Sequence, residues 1–204
     1  SYSVEAFGQK SYNGVANIIK NGSAKTIKGI RGFDDPQTRE VSTTHEDIRV
    51  VNVYVPNGQA VGSEKFAYKL DWLEHLKKML NDDLKKYPKM IVLGDFNIAP
   101  CDEDVHDPEK WRDKILCSDQ ERTMFEEILS MGFHDSFRLF EKDAGFHSWW
   151  DYRTAGYTKE LGLRIDLLLI SNELKPLCIK SYIDEKPRWL EKPSDHTPVV
   201  VELG

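Results

Sequence analysis

The chain has 204 residues, of which 40% are hydrophobic and 11% are aromatic. This length and composition allow one substantial core, so we predict a single domain over residues 1–204. The formal net charge of −6 argues against a protein that holds nucleic acid through bulk positive charge, but it suits a site that must bind a cation.

The cysteine pattern and the hydropathy exclude two further classes. Cys101, Cys117 and Cys178 are widely spaced and form no C-x-x-C pair, and the six histidines show no metal-ligand spacing. We therefore expect reduced thiols, no structural zinc, and a cytoplasmic protein, associated with the nucleoid in a bacterium, with a nuclear or organellar location as the alternative. No apolar run approaches the length of a membrane span and no signal peptide opens the sequence, so no membrane partner is expected.

The first quarter of the sequence has the pattern of short strands joined by turns. Alternating residues at the start, then a glycine-bounded turn and an apolar run, predict a hairpin. Residues 32–44, which contain Asp34-Asp35-Pro36, predict a surface loop. In the last strand of this part, Val51, Val53 and Val55 face one way. The strands are predicted over residues 1–7, 15–19, 25–30 and 47–55.

The longest helix is predicted over residues 63–86, with Ser63 as its N-cap. Apolar residues recur there every three or four positions, which is the period of one helix face. The lysines and aspartates fall mostly on the other face, and we interpret them as a solvated surface. The apolar positions are Phe66, Leu70, Leu73, Leu76, Leu80 and Leu84.

A short apolar run, Met90 to Leu93, follows a proline and precedes a glycine, which favours a strand buried on both faces. Asp95 and Asn97 come directly after it. If the strand continues, both side chains leave on the same face, where a carboxylate beside a carboxamide can orient a water molecule. The alternative is an Asx-rich turn that caps the strand.

Acidic residues crowd the loop over residues 98–110. Their spacing is not that of an EF-hand, so we favour a solvated loop over a metal site. Ser118 and Glu121 then form a capping box that begins a helix, which ends near Met131 and Gly132. The acidic residues of the loop are Asp102, Glu103, Asp104 and Asp107.

The C-terminal third is predicted to contain strands that carry aromatic and charged residues. Trp149 and Trp150 are adjacent, so one ring can pack in the core while the other meets a ligand. Asp166 lies inside an apolar strand predicted over 163–170, where a carboxylate needs a partner or becomes protonated. Two more strands cover 178–183 and 199–203. The alternation of strands and helices predicts an α+β fold, a four-layer sandwich of two mainly antiparallel sheets flanked by helices.

Polar residues at several predicted strand ends form one candidate site. Each alone has a structural explanation, as a core tyrosine, a buried salt-bridge partner or a strand cap. Together, a strand-end carboxylate, an imidazole, a phenol and an amide are what metal-dependent hydrolysis of a phosphodiester needs. The residues are Tyr54, Asp95, Asn97, Asp166, Asp195 and His196.

An ordered set of motifs along the whole chain resembles the exonuclease III family of abasic-site endonucleases, within the endonuclease/exonuclease/phosphatase superfamily. Single motifs such as Gly-Asp-x-Asn are weak signals, whereas the full ordered set is a strong one. The motifs are Gly8-Gln9-Lys10, Tyr12-Asn13-Gly14-Val15-Ala16, Tyr54-Val55-Pro56-Asn57-Gly58, Gly94-Asp95-Phe96-Asn97-Ile98-Ala99-Pro100, Trp149-Trp150-Asp151-Tyr152-Arg153, Gly162-Leu163-Arg164-Ile165-Asp166 and Glu191-Lys192-Pro193-Ser194-Asp195-His196.

The resemblance implies a catalytic role for each polar residue. Asp95 matches the aspartate that orients or deprotonates the attacking water, and Asn97 lies beside it. Tyr54 matches the tyrosine that contacts the scissile phosphate. His196 matches a histidine that contacts a phosphate oxygen, and Asp166 the carboxylate that holds its ring. Such a pairing favours an imidazolium at neutral pH.

The resemblance also implies a metal, a substrate and a sugar pocket. Asp195 matches a metal-site aspartate, which implies Mg²⁺, or Mn²⁺ as an alternative. Trp149, Trp150 and Leu163 match an apolar pocket that receives a sugar without its base, where Trp150 replaces a more usual Phe. The implied partner is double-stranded DNA with abasic sites or 3′ ends. Unless a partner segment completes the fold, the protein is expected to be a monomer.

The sequence departs from the family at its start. In the family, an opening strand that ends in Asn and a metal-binding Glu in a Gln-Glu context precede the Gly-Gln-Lys segment. Only seven residues precede Gly8 here, and Glu5 has different surroundings. We therefore expect the fold to be incomplete at its N-terminus, the chain to be part of a longer enzyme or to be completed by a partner segment, and its turnover alone to be poor.

Two other functions stay open. One is an RNase or phosphatase of the same superfamily with different substrate loops, and the other is a catalytically silent DNA-binding or interaction module. Four basic residues in loops are candidates for phosphate contacts, with scattered surface charge as the alternative. They are Lys10, Arg31, Arg39 and Arg188.

Overall fold

The computed structural model describes all 204 residues, as twelve strands and four α-helices with short 3-10 turns between them. The helices are α1 (Glu64–Leu84), α2 (Pro108–Trp111), α3 (Asp119–Ser130) and α4 (Ser136–Phe140). The strands are β1 (Tyr2–Gly8), β2 (Gly14–Lys20), β3 (Lys25–Lys28), β4 (Glu40–His45), β5 (Ile48–Tyr54), β6 (Met90–Asp95), β7 (Phe133–Asp135), β8 (Trp149–Trp150), β9 (Gly162–Leu163), β10 (Asp166–Ser171), β11 (Cys178–Ile183) and β12 (Val199–Leu203).

A six-stranded sheet in the order β3-β4-β5-β6-β10-β7 forms the middle of the molecule. Its strands are antiparallel except for β5 and β6, which run parallel. The other strands pair in twos, as β1-β2, β8-β9 and β11-β12. The predicted hairpin at the start of the chain is confirmed, because β1 and β2 pair from Tyr2 with Lys20 to Gly8 with Gly14.

The two faces of the central sheet pack against different layers. Helices α1 and α3 cover one face, where Val92 and Leu167 meet Trp72 in the largest apolar cluster. On the other face Ile91, with Leu168 and Ile170, packs against residues of β12. Met90 to Leu93 therefore form a strand covered on both sides, as predicted. The mixed sheets flanked by helices confirm the α+β sandwich class.

Both predicted long helices are confirmed with their caps. The Ser63 side chain accepts a hydrogen bond from the backbone N–H of Phe66, and Ser118 and Glu121 form a reciprocal capping box. The interpretation of the charged residues of α1 as a solvated face is wrong at two positions, since Lys69 and Asp83 are buried. Each has a buried partner, which the sequence period of the helix cannot reveal. None of the helices has the combination of length and apolar composition that crossing a membrane requires.

The surface loop predicted over residues 32–44 is wrong in its last part, because β4 begins at Glu40 and pairs with β5. This strand is buried, yet its sequence Glu-Val-Ser-Thr-Thr-His lacks an apolar alternation. Glu40 and Ser42 are both buried and hydrogen-bonded to each other. Paired polar side chains thus replace the apolar ones that a strand prediction depends on.

Two other expectations about local structure are wrong. The strand predicted over 163–170 is broken, because Leu163 pairs with Trp149 in a separate ladder, and Asp166 is the first residue of β10. The loop over 98–110 is not solvated throughout, since Asp104 is fully buried. Its carboxylate forms ion pairs with Arg138 and Arg164, and these residues come from distant parts of the sequence.

Candidate active site

The pairing of three strands places three of the predicted residues in one row. Tyr54 of β5 lies opposite Asp95 of β6, and Asp166 of β10 lies opposite Asp95 from the other side. Neighbouring strands lie about 5 Å apart, so these residues meet at one edge of the sheet. The sequence predicted that they meet, and the strand register is the reason that they do.

The chain turns sharply after Asp95, so the strand does not continue as far as Asn97. Asn97 has a left-handed backbone with φ of 49°, and its N–H donates to Oδ1 of Asp95 at 2.8 Å. Its side-chain amide donates to Oδ2 of Asp95 at 3.1 Å. The alternative interpretation, an Asx turn, therefore describes the backbone, and this turn keeps the carboxamide against the carboxylate.

The residue before Asp95 must be glycine. Gly94 has a φ of +133°, and a Cβ atom there would lie 1.9 Å from the carbonyl oxygen of Val53 in the neighbouring strand. That distance is far inside van der Waals contact, so any side chain would push β5 and β6 apart. Glycine thus allows the close approach that sets the register of Asp95 against Tyr54.

The buried side chain of Lys69 supports this turn, a role that was not predicted from the sequence. Nζ of Lys69 donates to the carbonyl oxygen of Asn97 at 2.6 Å and forms an ion pair with Glu121. Burial lowers the pKa of Lys69, and the Glu121 carboxylate opposes that effect. The amide of Asn57 donates to Oδ1 of Asn97 at 3.1 Å. A polar residue on the apolar face of a predicted helix is the one signal that could have identified Lys69.

His196 and Asp166 form a direct pair. Nδ1 of His196 lies 3.0 Å from Oδ1 and 2.8 Å from Oδ2 of Asp166. Although burial by itself lowers the pKa of His196, the hydrogen bond and charge of Asp166 outweigh it and raise the pKa to about 9. The imidazole is therefore a cation at neutral pH. The hydroxyl of Ser148 donates to Oδ2 of Asp166 at 2.7 Å, which fixes the carboxylate.

The pKa of the Asp95 carboxyl group lies well above its usual value. Burial, and then the like charge of Asp166, raise its pKa to about 7, against the opposing effects of His196, the Asn97 N–H and Lys69. A carboxyl group with a pKa near neutrality can accept a proton from water and release it again. This is the property that a general base needs.

Asp195 and Trp149 lie beside His196. The indole Nε1 of Trp149 donates to Oδ2 of Asp195 at 3.1 Å, and the two aromatic rings of Trp149 and His196 have centroids 6.4 Å apart. An isolated backbone bridge joins Trp149 to His196, the residue after Asp195, and holds these side chains together. Tyr54, at the other side of Asp95, is covered by the guanidinium of Arg39, which lies 4.7 Å from the ring centroid.

The oxygen donors of the site fit a hard divalent cation, because carboxylate and amide oxygens are the ligands that such ions prefer. Burial raises the pKa of Asp95 most, and the like charge of Asp166 adds to it. A cation beside the two carboxylates would offset their mutual repulsion. No three Asp, Glu, His or Cys side chains of the chain converge as a metal cage.

A cleft of about 900 Å³ lies beside the cluster, and Trp149 is the one predicted site residue that lines it. Its walls include Arg39, Asn57 and Trp149, the partners of Tyr54, Asn97 and Asp195 respectively. Trp111 and Ile115 add an apolar surface beside Trp149, and the sequence analysis missed both. Trp111 is the last residue of the short helix α2, and Ile115 follows that helix. The one sequence signal for α2 is the Asp107-Pro108 pair at its N-terminus.

The three residues of the predicted sugar pocket have different positions. Trp149 lines the cleft, and Leu163 is fully buried beneath it in the same apolar cluster. Trp150 points away from the cleft and packs edge-on against Tyr157 and His147. The expectation that one of the two indoles packs inside is confirmed for Trp150, and Trp149 is the indole that lines the cleft. That Trp149 contacts a ligand stays a prediction.

Comparison with known proteins identifies relatives along the whole chain. The sequence profile described as the Endonuclease/Exonuclease/phosphatase family matches residues 2–196. Exodeoxyribonuclease III of Haemophilus influenzae is 34% identical over 218 residues, which cover 99% of this chain and 80% of that protein. The Bacillus subtilis exodeoxyribonuclease is 34% identical over 193 residues, covering 94% of this chain and 74% of that protein.

Two solved structures superpose closely on this chain. The 3′ phosphatase NExo from Neisseria, bound to a product DNA hairpin, superposes with a TM-score of 0.96 at 41% identity, covering 100% of this chain and 79% of that one. An AP endonuclease from Archaeoglobus fulgidus superposes with a TM-score of 0.93 at 34% identity, covering 99% of this chain and 79% of that one.

Proposed function

Because the chain belongs to the endonuclease/exonuclease/phosphatase family, we propose that it is a DNA repair nuclease that hydrolyses phosphodiesters 5′ to abasic sites and trims 3′ ends. The observation that carries the proposal is the row of Tyr54, Asp95 and Asp166 across three strands, with His196 bound to Asp166 at the same edge. The names of the relatives, which include exodeoxyribonucleases and AP endonucleases, support a hydrolase that acts on DNA.

Asp95 is the residue that activates water in this proposal. Its carboxylate accepts a proton from the attacking water, and Asn97 holds the carboxylate in place. The water oxygen forms a bond to phosphorus, and the bond from phosphorus to the leaving 3′ oxygen breaks. That oxygen takes a proton from solvent, and Asp95 returns to its ionised form.

His196 and Tyr54 stabilise the phosphate that reacts. A phosphodiester is anionic, and its transition state carries charge on the oxygens that do not leave, so a cationic donor lowers the barrier. The imidazolium of His196 is such a donor because Asp166 keeps it protonated. The Tyr54 side chain lies on the opposite side of Asp95, where Arg39 covers its ring, so its phenol can contact the same phosphate.

We further propose Mg²⁺ as the cofactor, with Mn²⁺ as an alternative. Asp195 would hold it, together with waters and phosphate oxygens of the substrate. The ion supplies positive charge that offsets the charge of the phosphate and of the leaving oxygen. Trp149 orients Asp195 through its indole N–H, so the same residue serves the metal site and the cleft wall.

The apolar part of the cleft supports a substrate that lacks a base. Trp149, Trp111 and Ile115 border it together, and an apolar slot of this kind favours a bare deoxyribose over a polar nucleotide. This is the part of the proposal that separates an abasic-site endonuclease from an RNase or a phosphatase with other loops.

The test is a cleavage assay with four substrates: a duplex with one abasic site, an undamaged duplex with a recessed 3′ end, a duplex with a 3′ phosphate, and the matching RNA duplex. We expect incision 5′ to the abasic site and removal of the 3′ groups, with no RNA cleavage, and loss of all activity in EDTA and in Asp95→Ala. Cleavage of RNA in preference to DNA would contradict the proposal, and DNA binding without any cleavage would indicate an inactive binding module.

A further inference from the structure

Arg188 is a buried arginine enclosed by aromatic rings. Only 6% of its surface is exposed. Its guanidinium carbon lies 4.6 Å from the ring centroid of Tyr157, 5.4 Å from that of Trp150 and 5.7 Å from that of Tyr152. Three ring faces attract one cation, which fixes the plane of the guanidinium without neutralising its charge.

The charge of this guanidinium has no counter-ion in the chain. Nε and Nη1 are sealed from water without any acceptor in hydrogen-bonding distance, and no carboxylate forms an ion pair with the residue. The neighbouring Asp151 is occupied, because its oxygens accept hydrogen bonds from Arg153. Glu185 contributes only its backbone carbonyl, which accepts the N–H of Arg188 at 2.9 Å. An arginine cannot lose its proton to relieve this cost, so an external anion is the remaining partner.

The guanidinium borders a hollow of about 220 Å³ that can admit such an anion. Trp150, Tyr152 and Tyr157 form its walls, so the hollow combines one cation with flat apolar surfaces. A phosphate group that enters it would meet Arg188 through its third nitrogen, Nη2.

The hollow lies next to the active-site cleft. Asp151 borders both, and the segment from Trp149 to Arg153 is the ridge between them. The ridge is held in place because the Tyr152 hydroxyl donates to the carbonyl oxygen of Pro193 and because Asp151 caps the turn that contains Arg153. A duplex with one strand in the cleft would cross this ridge to place a backbone phosphate in the hollow.

We propose that Arg188 and its aromatic enclosure form a binding site for a phosphodiester of the DNA backbone, outside the row of catalytic residues. The inference rests on the proposed function, since it takes DNA as the ligand. A contact of this type positions the duplex without reading its sequence. It also gives Trp150 a function, because that indole faces away from the cleft and forms one wall of the enclosure.

The first test uses the unmodified protein. Hydrogen exchange of the arginine side chains, followed by NMR, compares the Nη2 hydrogens of Arg188 in the free and the DNA-bound protein. We expect a short undamaged duplex to slow this exchange, which is the protection that a bound phosphate gives. Equal exchange rates with and without DNA would overturn the proposal. Protection by inorganic phosphate but not by the duplex would show a free-phosphate site and overturn the assignment to DNA.

The second test measures the salt dependence of duplex binding by fluorescence anisotropy. Arg188→Gln should weaken binding about tenfold at low salt and reduce the slope of log Kd against log salt by about 0.9, the value for one phosphate contact. Lys159→Gln removes an exposed charge from the loop that carries Tyr157, one of the enclosing rings, and serves as the matched control. Equal slopes in a folded Arg188→Gln variant and the wild type would overturn the proposal.

The two tests separate this inference from the proposed function. Circular dichroism shows whether Arg188→Gln is folded, and if it is not, the protection experiment on the wild type decides alone. A wild type that cleaves abasic DNA while Arg188 stays unprotected disproves only the phosphate site. A wild type that neither binds nor cleaves DNA disproves the proposed function itself.

Discussion

Two clusters in this protein contain the same ingredients, two aspartates and a cation, but differ in how the charges balance. In the active-site cluster, Asp95 and Asp166 share the imidazolium of His196. In the second cluster, which we call the arginine cluster, Asp104 and Asp135 share Arg164, and Arg138 adds a second cation beside Asp104.

The two clusters shift the pKa of an aspartate in opposite directions, downward for Asp104 and upward for Asp95. Burial alone would raise the pKa of Asp104, but Arg164 more than offsets it, and the pKa is lowered. In the active-site cluster burial and the like charge of Asp166 prevail, and the pKa of Asp95 rises to about 7. Two permanent cations make the arginine cluster an inert cross-link between separate loops, whereas a shortage of positive charge leaves the active-site cluster able to exchange protons.

Replacing the reactive carboxylate should give the largest effect on activity. We expect Asp95→Asn to lower the rate of abasic-site incision by about 10³-fold, because an amide cannot accept the proton from water. The folded state should be no less stable, since a repulsive charge next to Asp166 is removed. Single-turnover cleavage and urea unfolding measure the two effects. An Asp95→Asn variant with more than a tenth of the normal rate would show that another group activates water.

Breaking the arginine cluster should mainly affect stability. We expect Arg164→Met to lower the free energy of unfolding by about 3–5 kcal/mol, because it leaves Asp104 and Asp135 buried without their main counter-ion. Urea unfolding followed by circular dichroism measures this change. The matched control is Arg112→Met, which removes an exposed ion pair with Glu109 and should leave the urea midpoint nearly unchanged. Equal effects of the two substitutions would contradict the comparison.

Replacing Asp166, the counter-ion of His196, should have an effect of intermediate size on the cleavage rate. Asp166→Asn removes the charge that keeps His196 cationic and should slow incision by about 10- to 100-fold, the size of one charge-assisted hydrogen bond. Ser148→Ala removes only a neutral hydrogen bond to the same carboxylate and should have a smaller effect. The cleavage rate at saturating substrate is the measurement. The interpretation fails if Ser148→Ala is as slow as Asp166→Asn.

Glu40 provides the smallest and sharpest test, because its pKa is raised mainly by burial at a position outside the candidate active site. Burial raises its pKa from 4.5 to about 7, against the hydrogen bond from Ser42 and the charge of Arg49. Between these two values the folded protein binds more protons than the unfolded chain, so stability falls as pH rises through this window.

We therefore expect Glu40→Gln to be more stable than the wild type by about 2 kcal/mol at about pH 8 and to lose this advantage near pH 4.5. Urea unfolding at a series of pH values measures it. Glu126→Gln, at an exposed position, is the control and should show no such dependence. A constant difference between Glu40→Gln and wild type over the whole pH range would show that Glu40 stays ionised in the fold.

Some of the site could be predicted because its residues carry their own local signals. Asp95 and Asn97 follow a short apolar run, and Asp195 and His196 precede the last strand, so their places at strand ends are visible in the sequence. Lys69 gave only a weak signal, its position on the apolar face of a predicted helix, and this position does not identify the groups that it contacts. Its role depends on Glu121 and on the backbone of Asn97, which are 52 and 28 residues away.

The sequence by itself determined the family, through its ordered motifs, and those elements whose apolar periods are clear, namely α1, α3 and β6. Only the tertiary structure decided which charges are neutralised. Register across β5, β6 and β10 joins Tyr54, Asp95 and Asp166, while the packing of distant loops gives Asp104 its arginines and leaves Arg188 without a carboxylate. The physical reason is that pKa and ion pairing depend on burial and on distances of a few ångströms, and these exist only between residues that folding brings together.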